Sequence, residues 1–145
     1  MQSKMYVGAG LILRNNRHHI ILVCDARSGR WGFPKGHPEH EDKKNPINTA
    51  IRECKEETGL QHDVDYTIDT VKGKRIGKRL YFTGICLIES FDRSKFPAGE
   101  IRDVQWWSLG DMITNEHALN SDLRCWLRKA RFSRSPTFGP AVSAI

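Results

Sequence analysis

At 145 residues with 39% hydrophobic side chains, the chain is long enough to bury one core and too short for two, which argues against a multidomain arrangement. Its four cysteines, Cys24, Cys54, Cys86 and Cys125, are widely spaced and its six histidines show no zinc-ligand pattern, so reduced thiols are expected rather than a disulfide framework or a zinc module. A formal net charge of +6 points outward to a polyanion such as nucleic acid, a polyphosphate or an inositol phosphate; with no bilayer-spanning apolar run and no signal-peptide pattern at Met1, a cytoplasmic protein without membrane contact is expected.

Tyr6 to Leu13 and His19 to Cys24 are aliphatic and β-branched runs separated by the polar turn Asn15-Asn16-Arg17-His18, and they read as strands buried on both faces. Asp25 to Arg30 reads as a loop. Trp31-Gly32-Phe33-Pro34-Lys35-Gly36 then reads as a rigid turn shaped by Pro34 and Gly36, which places Lys35 to neutralise a phosphate oxygen. Asn45 followed by Pro46 marks a helix start, because Asn caps free N–H groups and Pro at the first helical position gives up nothing; Gly59 marks its stop. Within that helix Ile47, Ala50, Ile51 and Cys54 form one buried stripe, and Glu53, Glu56 and Glu57 share an adjoining face. Like charges at these spacings repel. A divalent cation supplies a reason for them, since Mg²⁺ takes oxygen ligands and completes its shell with water and substrate phosphate; an ordinary solvated charged face is the alternative. Arg52 can hold a carboxylate by a forked hydrogen bond.

Beyond the helix, Tyr66 to Val71 reads as a strand. Lys72 to Arg79 reads as a hairpin loop with five basic residues in eight positions, among them Arg75 and Lys78; it neither ends in Lys-Ser or Lys-Thr nor leads into a helix, so it is not a P-loop. Leu80 to Glu89 is a strand, Asp92 to Gly99 a loop, and Glu100 to Trp107 alternates as a strand should, with Glu100 at its entrance. Asn120 to Phe132 reads as an amphipathic helix, with Leu123, Trp126, Leu127 and Ala130 on one face and Arg124, Arg128 and Arg131 on another. Residues 1–132 form the domain and residues 133–145 read as a tail. The order of elements suits an α/β (α+β) fold, a mixed sheet covered by helices on both faces.

Arg52-Glu53-Cys54-Lys55-Glu56-Glu57-Thr58-Gly59-Leu60 resembles, position for position, the carboxyl half of the signature of the Nudix hydrolases. In that family this half follows a Gly, five residues, a Glu and seven residues. Here Gly36 is the natural first glycine, but the spacing to Arg52 is two residues longer, so the isolated acid falls on Glu41 or Asp42. The resemblance implies an α-β-α sandwich and attack of water on a pyrophosphate, with Mg²⁺ or Mn²⁺ held by Glu53, Glu56 and Glu57, Arg52 orienting a ligand, and Lys35 with Arg75 or Lys78 taking the remaining phosphate charge.

Two further segments, Trp31 to Gly36 and Glu100-Ile101-Arg102 leading into Val104-Gln105-Trp106, are similar to the messenger-RNA decapping enzymes within that family. This closer resemblance implies the 5′ cap of RNA as leading substrate, with release of 7-methylguanosine diphosphate, and Glu100 as base or additional metal ligand. Because the Pro-Lys-Gly turn also occurs in Nudix enzymes that cut diadenosine polyphosphates, those substrates remain alternatives. Diphosphoinositol polyphosphates, which would suit the Lys72 to Arg79 cluster, are another. A non-catalytic Nudix-fold module that binds nucleotide or RNA is the rival from another class; the retained acidic cluster argues against it.

Overall fold

The computed structural model describes residues 6–132; the expected tail at 133–145 lies outside them. Strand β1 (Gly8–Arg14) turns at Asn15, whose Oδ1 accepts the N–H groups of Arg17 and His19, and the chain returns as β2 (Ile20–Asp25). These two strands pair only where the turn closes, at Arg14 and Ile20. Along its length β1 runs parallel to β7 (Arg79–Cys86), from Gly8 opposite Arg79 to Arg14 opposite Ile85, while β2 pairs antiparallel with β8 (Ile101–Trp107). With β5 (Tyr66–Ile68) beside the far half of β7, the result is a mixed sheet of eight strands among the described residues.

Alternation of side chains puts the two sheet faces into two cores. Leu11, Leu13, Ile21, Val23 and Phe82 pack against Ala50 and Cys54 of α1 (Pro46–Thr58). Ile12, Leu22 and Tyr81 pack on the opposite side with Met112, Leu123, Trp126 and Leu127, which belong to α2 (Leu109–Thr114) and α3 (Ser121–Phe132). The architecture is the expected α+β sandwich. All four cysteines are free thiols, three buried and Cys125 half-buried. Among the described residues no helix is long and apolar enough to cross a membrane.

Several local expectations are revised by pairing that only the folded chain creates. Trp31 to Gly36 is not simply a turn: β3 (Trp31–Gly32) pairs with β2 and β4 (Lys35–Gly36) pairs with β1, and the Pro34 carbonyl between them accepts from Leu11. The basic loop contains a strand, β6 (Lys74–Ile76), antiparallel to β7 across a two-residue turn in which Gly77 takes φ +62°. The strand begun at Tyr66 ends at Ile68, leaving Val71 exposed. Helix α2 has no counterpart in the sequence reading, although Ser108 and Asp111 form a reciprocal capping box at its start.

Candidate active site

Helix α1 starts and stops where its caps require. Asn45 Oδ1 accepts from Ile47 N–H at 3.2 Å, and Gly59, at φ +82°, returns its N–H to the Lys55 carbonyl at 2.8 Å. Ahead of it, the 3₁₀ turn His40–Asp42 delivers a buried carboxylate, Asp42, only 2% exposed. Its two oxygens accept from Arg52 Nε and Nη2, both at 2.9 Å, and Oδ2 also accepts from Thr49 Oγ1 at 2.6 Å and Glu39 N–H at 2.9 Å. The Arg52 guanidinium holds this carboxyl down at about 2. Of the two acids the sequence left open, Glu41 is exposed and Asp42 engages the arginine. Lys43 and Lys44, at φ 55° and 59°, then carry the chain through consecutive left-handed positions, which is how the longer spacing still lets Asp42 face Arg52.

Arg52 thus spends its forked pair of donors on Asp42 rather than on a helix carboxylate. Its Nη1 reaches Glu53 Oε2 and Glu56 Oε2, each at 3.2 Å, and Nη2 also donates to the His37 carbonyl at 2.8 Å. The arginine therefore ties the approach loop to the helix face.

The three helix carboxylates occupy different surroundings. Glu56 is 54% exposed and turned outward to Arg52. Glu53 is 14% exposed and lies over Gly36, where an added Cβ would stand 1.9 Å from its carboxyl carbon; only glycine leaves room for it. Glu57 Oε1 accepts the Lys35 N–H at 3.2 Å. Burial, with the neighbouring Glu53 charge behind it, pushes the Glu57 carboxyl up to about 8, against the pull of the Lys35 N–H and ammonium. Burial and Glu56 raise Glu53 as well. Glu100 stands exposed in the turn before β8 and adds to the negative field at Glu57. Its backbone oxygen accepts from Ala26 N–H at 2.8 Å, which ties its turn to the loop after β2.

Asp25, expected from the sequence to open that loop, is instead the last residue of β2. Its carboxyl is held down first by Ser28 N–H and further by the Lys35 ammonium, so Lys35 acts on Asp25 as well as on Glu57. Arg75 and Lys78 sit farther off. Across the sheet Lys74 faces Tyr81, Tyr81 faces Gly10 and Gly10 faces Lys35, so three strand spacings, about 14 Å, separate the hairpin from β4. Arg75 donates to the Lys78 carbonyl at 3.4 Å, and both side chains are exposed. A cleft of about 510 Å³ lined by Asn15, Arg17, His19, Leu87, Glu89 and Trp106 opens at the far end of β1 and takes no part in this grouping.

Among the described residues no three His, Cys, Asp or Glu side chains converge into a metal cage. The donor set nonetheless fits a hard divalent ion. Glu53 and Glu57 are two mutually repelling, largely enclosed oxygen ligands, and Mg²⁺ is usually held by one or two carboxylates with water and substrate phosphate completing the shell.

Comparison with known proteins agrees with this geometry. The family model of the NUDIX domain matches residues 4–130. A protein of Acanthamoeba polyphaga mimivirus with the provisional name mRNA-decapping protein is 30% identical over an alignment of 99 residues that covers 60% of this chain and 27% of that protein; this chain thus spans about a quarter of that relative's length. The Ap4A hydrolase of C. elegans superimposes with a TM-score of 0.63 at 21% identity, covering 86% of this chain and 95% of that one. A NUDIX-family hydrolase from Clostridium perfringens gives 0.66 at 15% identity, covering 88% and 97%. The chain belongs to the Nudix hydrolase family.

Proposed function

We propose that the protein is a metal-dependent pyrophosphohydrolase whose leading substrate is the 5′ cap of RNA, cut to release 7-methylguanosine diphosphate. The observation that carries the chemistry is the Glu53–Glu57 pair, enclosed beside the Lys35 backbone and overlooked by Glu100. Substrate choice draws support from the similarity to the viral protein named for mRNA decapping.

Mg²⁺ or Mn²⁺ held by Glu53 and Glu57, with Glu56 and Glu100 available to extend the set, supplies Lewis-acid stabilisation of the phosphate oxygens. Arg52 keeps Glu53 and Glu56 in place from behind. Lys35 carries a positive charge that acts on both Asp25 and Glu57, and a phosphate oxygen of the substrate can share it. Glu100, exposed and on a separate element, serves as the base. The water oxygen bonds to phosphorus, its proton passes to the Glu100 carboxylate, and the bridging P–O bond breaks with its electrons on the leaving phosphate. Arg75 and Lys78, on a hairpin whose strand lies about 14 Å across the sheet from β4, meet parts of the substrate beyond the reacting phosphates.

The test is a Mg²⁺ and Mn²⁺ hydrolysis assay on capped RNA, free cap dinucleotide, diadenosine tetraphosphate and a diphosphoinositol phosphate, beside Glu57→Gln. The expected outcome is release of the cap nucleoside diphosphate from RNA, with kcat in the variant lower by at least about a hundredfold. Cleavage of the small molecules alone assigns the site to dinucleoside or inositol polyphosphates. Ligand binding without cleavage makes the protein a binding module.

A further inference from the structure

Several arginines differ in the kind of partner they have. Arg14, Arg52, Arg79, Arg93 and Arg131 each reach a carboxylate, on Asp69, Asp42, Asp122, Asp103 and Glu116 respectively. Arg102, Arg30 and Arg124, like Arg75 in the distant basic hairpin, are held by backbone carbonyls instead. Arg102 Nη2 donates to the Ala26 oxygen at 3.1 Å. Arg30 Nη1 donates to the His117 oxygen at 3.1 Å and the Leu119 oxygen at 3.3 Å, and Arg124 Nε donates to that same Leu119 oxygen at 3.1 Å. Sharing one acceptor brings two guanidinium groups within about 6.5 Å at their donor nitrogens, and neither has a carboxylate partner among the described residues.

The three belong to separate elements: Arg102 to β8, Arg30 to the loop before β3, Arg124 to α3. Their order in space is nevertheless continuous. Arg102 Nη1 lies 3.5 Å from the Cβ position of Gly29, the residue before Arg30, and Arg30 meets Arg124 at Leu119. That meeting point is firmly placed, since Asn120 N–H donates to the Trp31 carbonyl at 2.8 Å and Leu119 bridges to Trp31. The near end of the row is the candidate active site, because Ala26, which accepts from Arg102, donates its own N–H to Glu100. Carbonyl anchors orient the guanidinium heads without neutralising them, and each head keeps donors to spare. A row of fixed cations suits a linear polyanion, whereas a compact phosphate would occupy one point of it.

We propose that Arg102, Arg30 and Arg124 form a phosphate track that binds the RNA backbone downstream of the cap as it leaves Glu100. This rests on the capped-RNA reading. Arg30→Gln with Arg124→Gln would be compared with the wild type and with Lys44→Gln plus Lys55→Gln, which removes the same charge elsewhere. Substrates are a capped RNA of about 20 nucleotides and the cap dinucleotide, assayed over a salt series.

For the arginine pair, KM on RNA should rise about tenfold at unchanged kcat, with KM on the dinucleotide unmoved and the salt slope shallower by about 0.7 for each phosphate no longer neutralised. Arg30→Lys with Arg124→Lys should recover most of the RNA affinity. An equal loss in the lysine control, an equal shift on both substrates, or no change at all overturns the track and leaves decapping standing. A wild type that cuts only small molecules overturns the RNA reading and the track together. Should the double variant not fold, Arg102→Gln, which gives up the single hydrogen bond to the Ala26 carbonyl, decides: a KM rise of roughly threefold confined to RNA supports the track, and none overturns it.

Discussion

At the scale of single residues, Asp42 is the part of the site that depends most on its neighbours. Adjacent acids at 41 and 42 cannot be ranked from sequence, because the difference lies in which one turns toward Arg52 across the entry to α1. Asp42→Asn removes the forked, buried charge partner of Arg52 and leaves it the longer contacts of Nη1 to Glu53 and Glu56, and we expect a loss of about 2 kcal/mol at neutral pH, read from a lower urea midpoint at unchanged m. The pH dependence has a definite sign. Folding depresses this carboxyl from 3.8 to about 2, so its contribution is full above the unfolded value and disappears as pH falls through the folded one. Wild type and variant should therefore differ most above pH 4 and converge near pH 2, as followed by urea denaturation across that range.

At the scale of elements, legibility followed length and punctuation. Helix α1 was readable to the residue because Asn45, Pro46 and Gly59 are its own caps, a local property. Strands β3 and β4, two residues each, have no periodicity to read, and they exist because β2 and β1 offer free edges there. Strand β6 lay hidden in a run of basic residues for a similar reason: its one buried side chain, Ile76, is placed by the opposite strand. The turn that makes this hairpin rests on Gly77, where an added Cβ would meet Asp122 Oδ1 at 2.6 Å in a left-handed backbone. Gly77→Ala should cost about 2 kcal/mol, measured as a lower thermal midpoint, from backbone strain and the clash together.

At the scale of the whole molecule, the α2–α3 layer is joined to the sheet by one buried acid as well as by its apolar face. Asp122 of α3, 5% exposed, accepts from Tyr81 Oη at 2.5 Å and from Arg79 at 3.2 Å, both on β7. Burial and that bond raise the Tyr81 hydroxyl far above its ordinary range, so it stays a donor. Tyr81→Phe should lower stability by about 1–2 kcal/mol in denaturant titration, since Asp122 then keeps Arg79 alone.

The family and the acidic helix face follow from sequence by itself, because the spacing Arg52 to Leu60 is local and a helix of period 3.6 carries it unchanged into three dimensions. The division of roles among the carboxylates was decided only by the tertiary structure. Glu53 fits because Gly36 on β4 makes room, Glu57 is enclosed because the Lys35 backbone closes over it, and Glu56 faces outward to Arg52. The continuity of Arg102, Arg30 and Arg124 likewise depends on three distant segments meeting at the loop after β2 and Leu119. Periodicity places a side chain on a face of its own element; which charges then share a dielectric, and which remain without a counterion, depends on distances between elements.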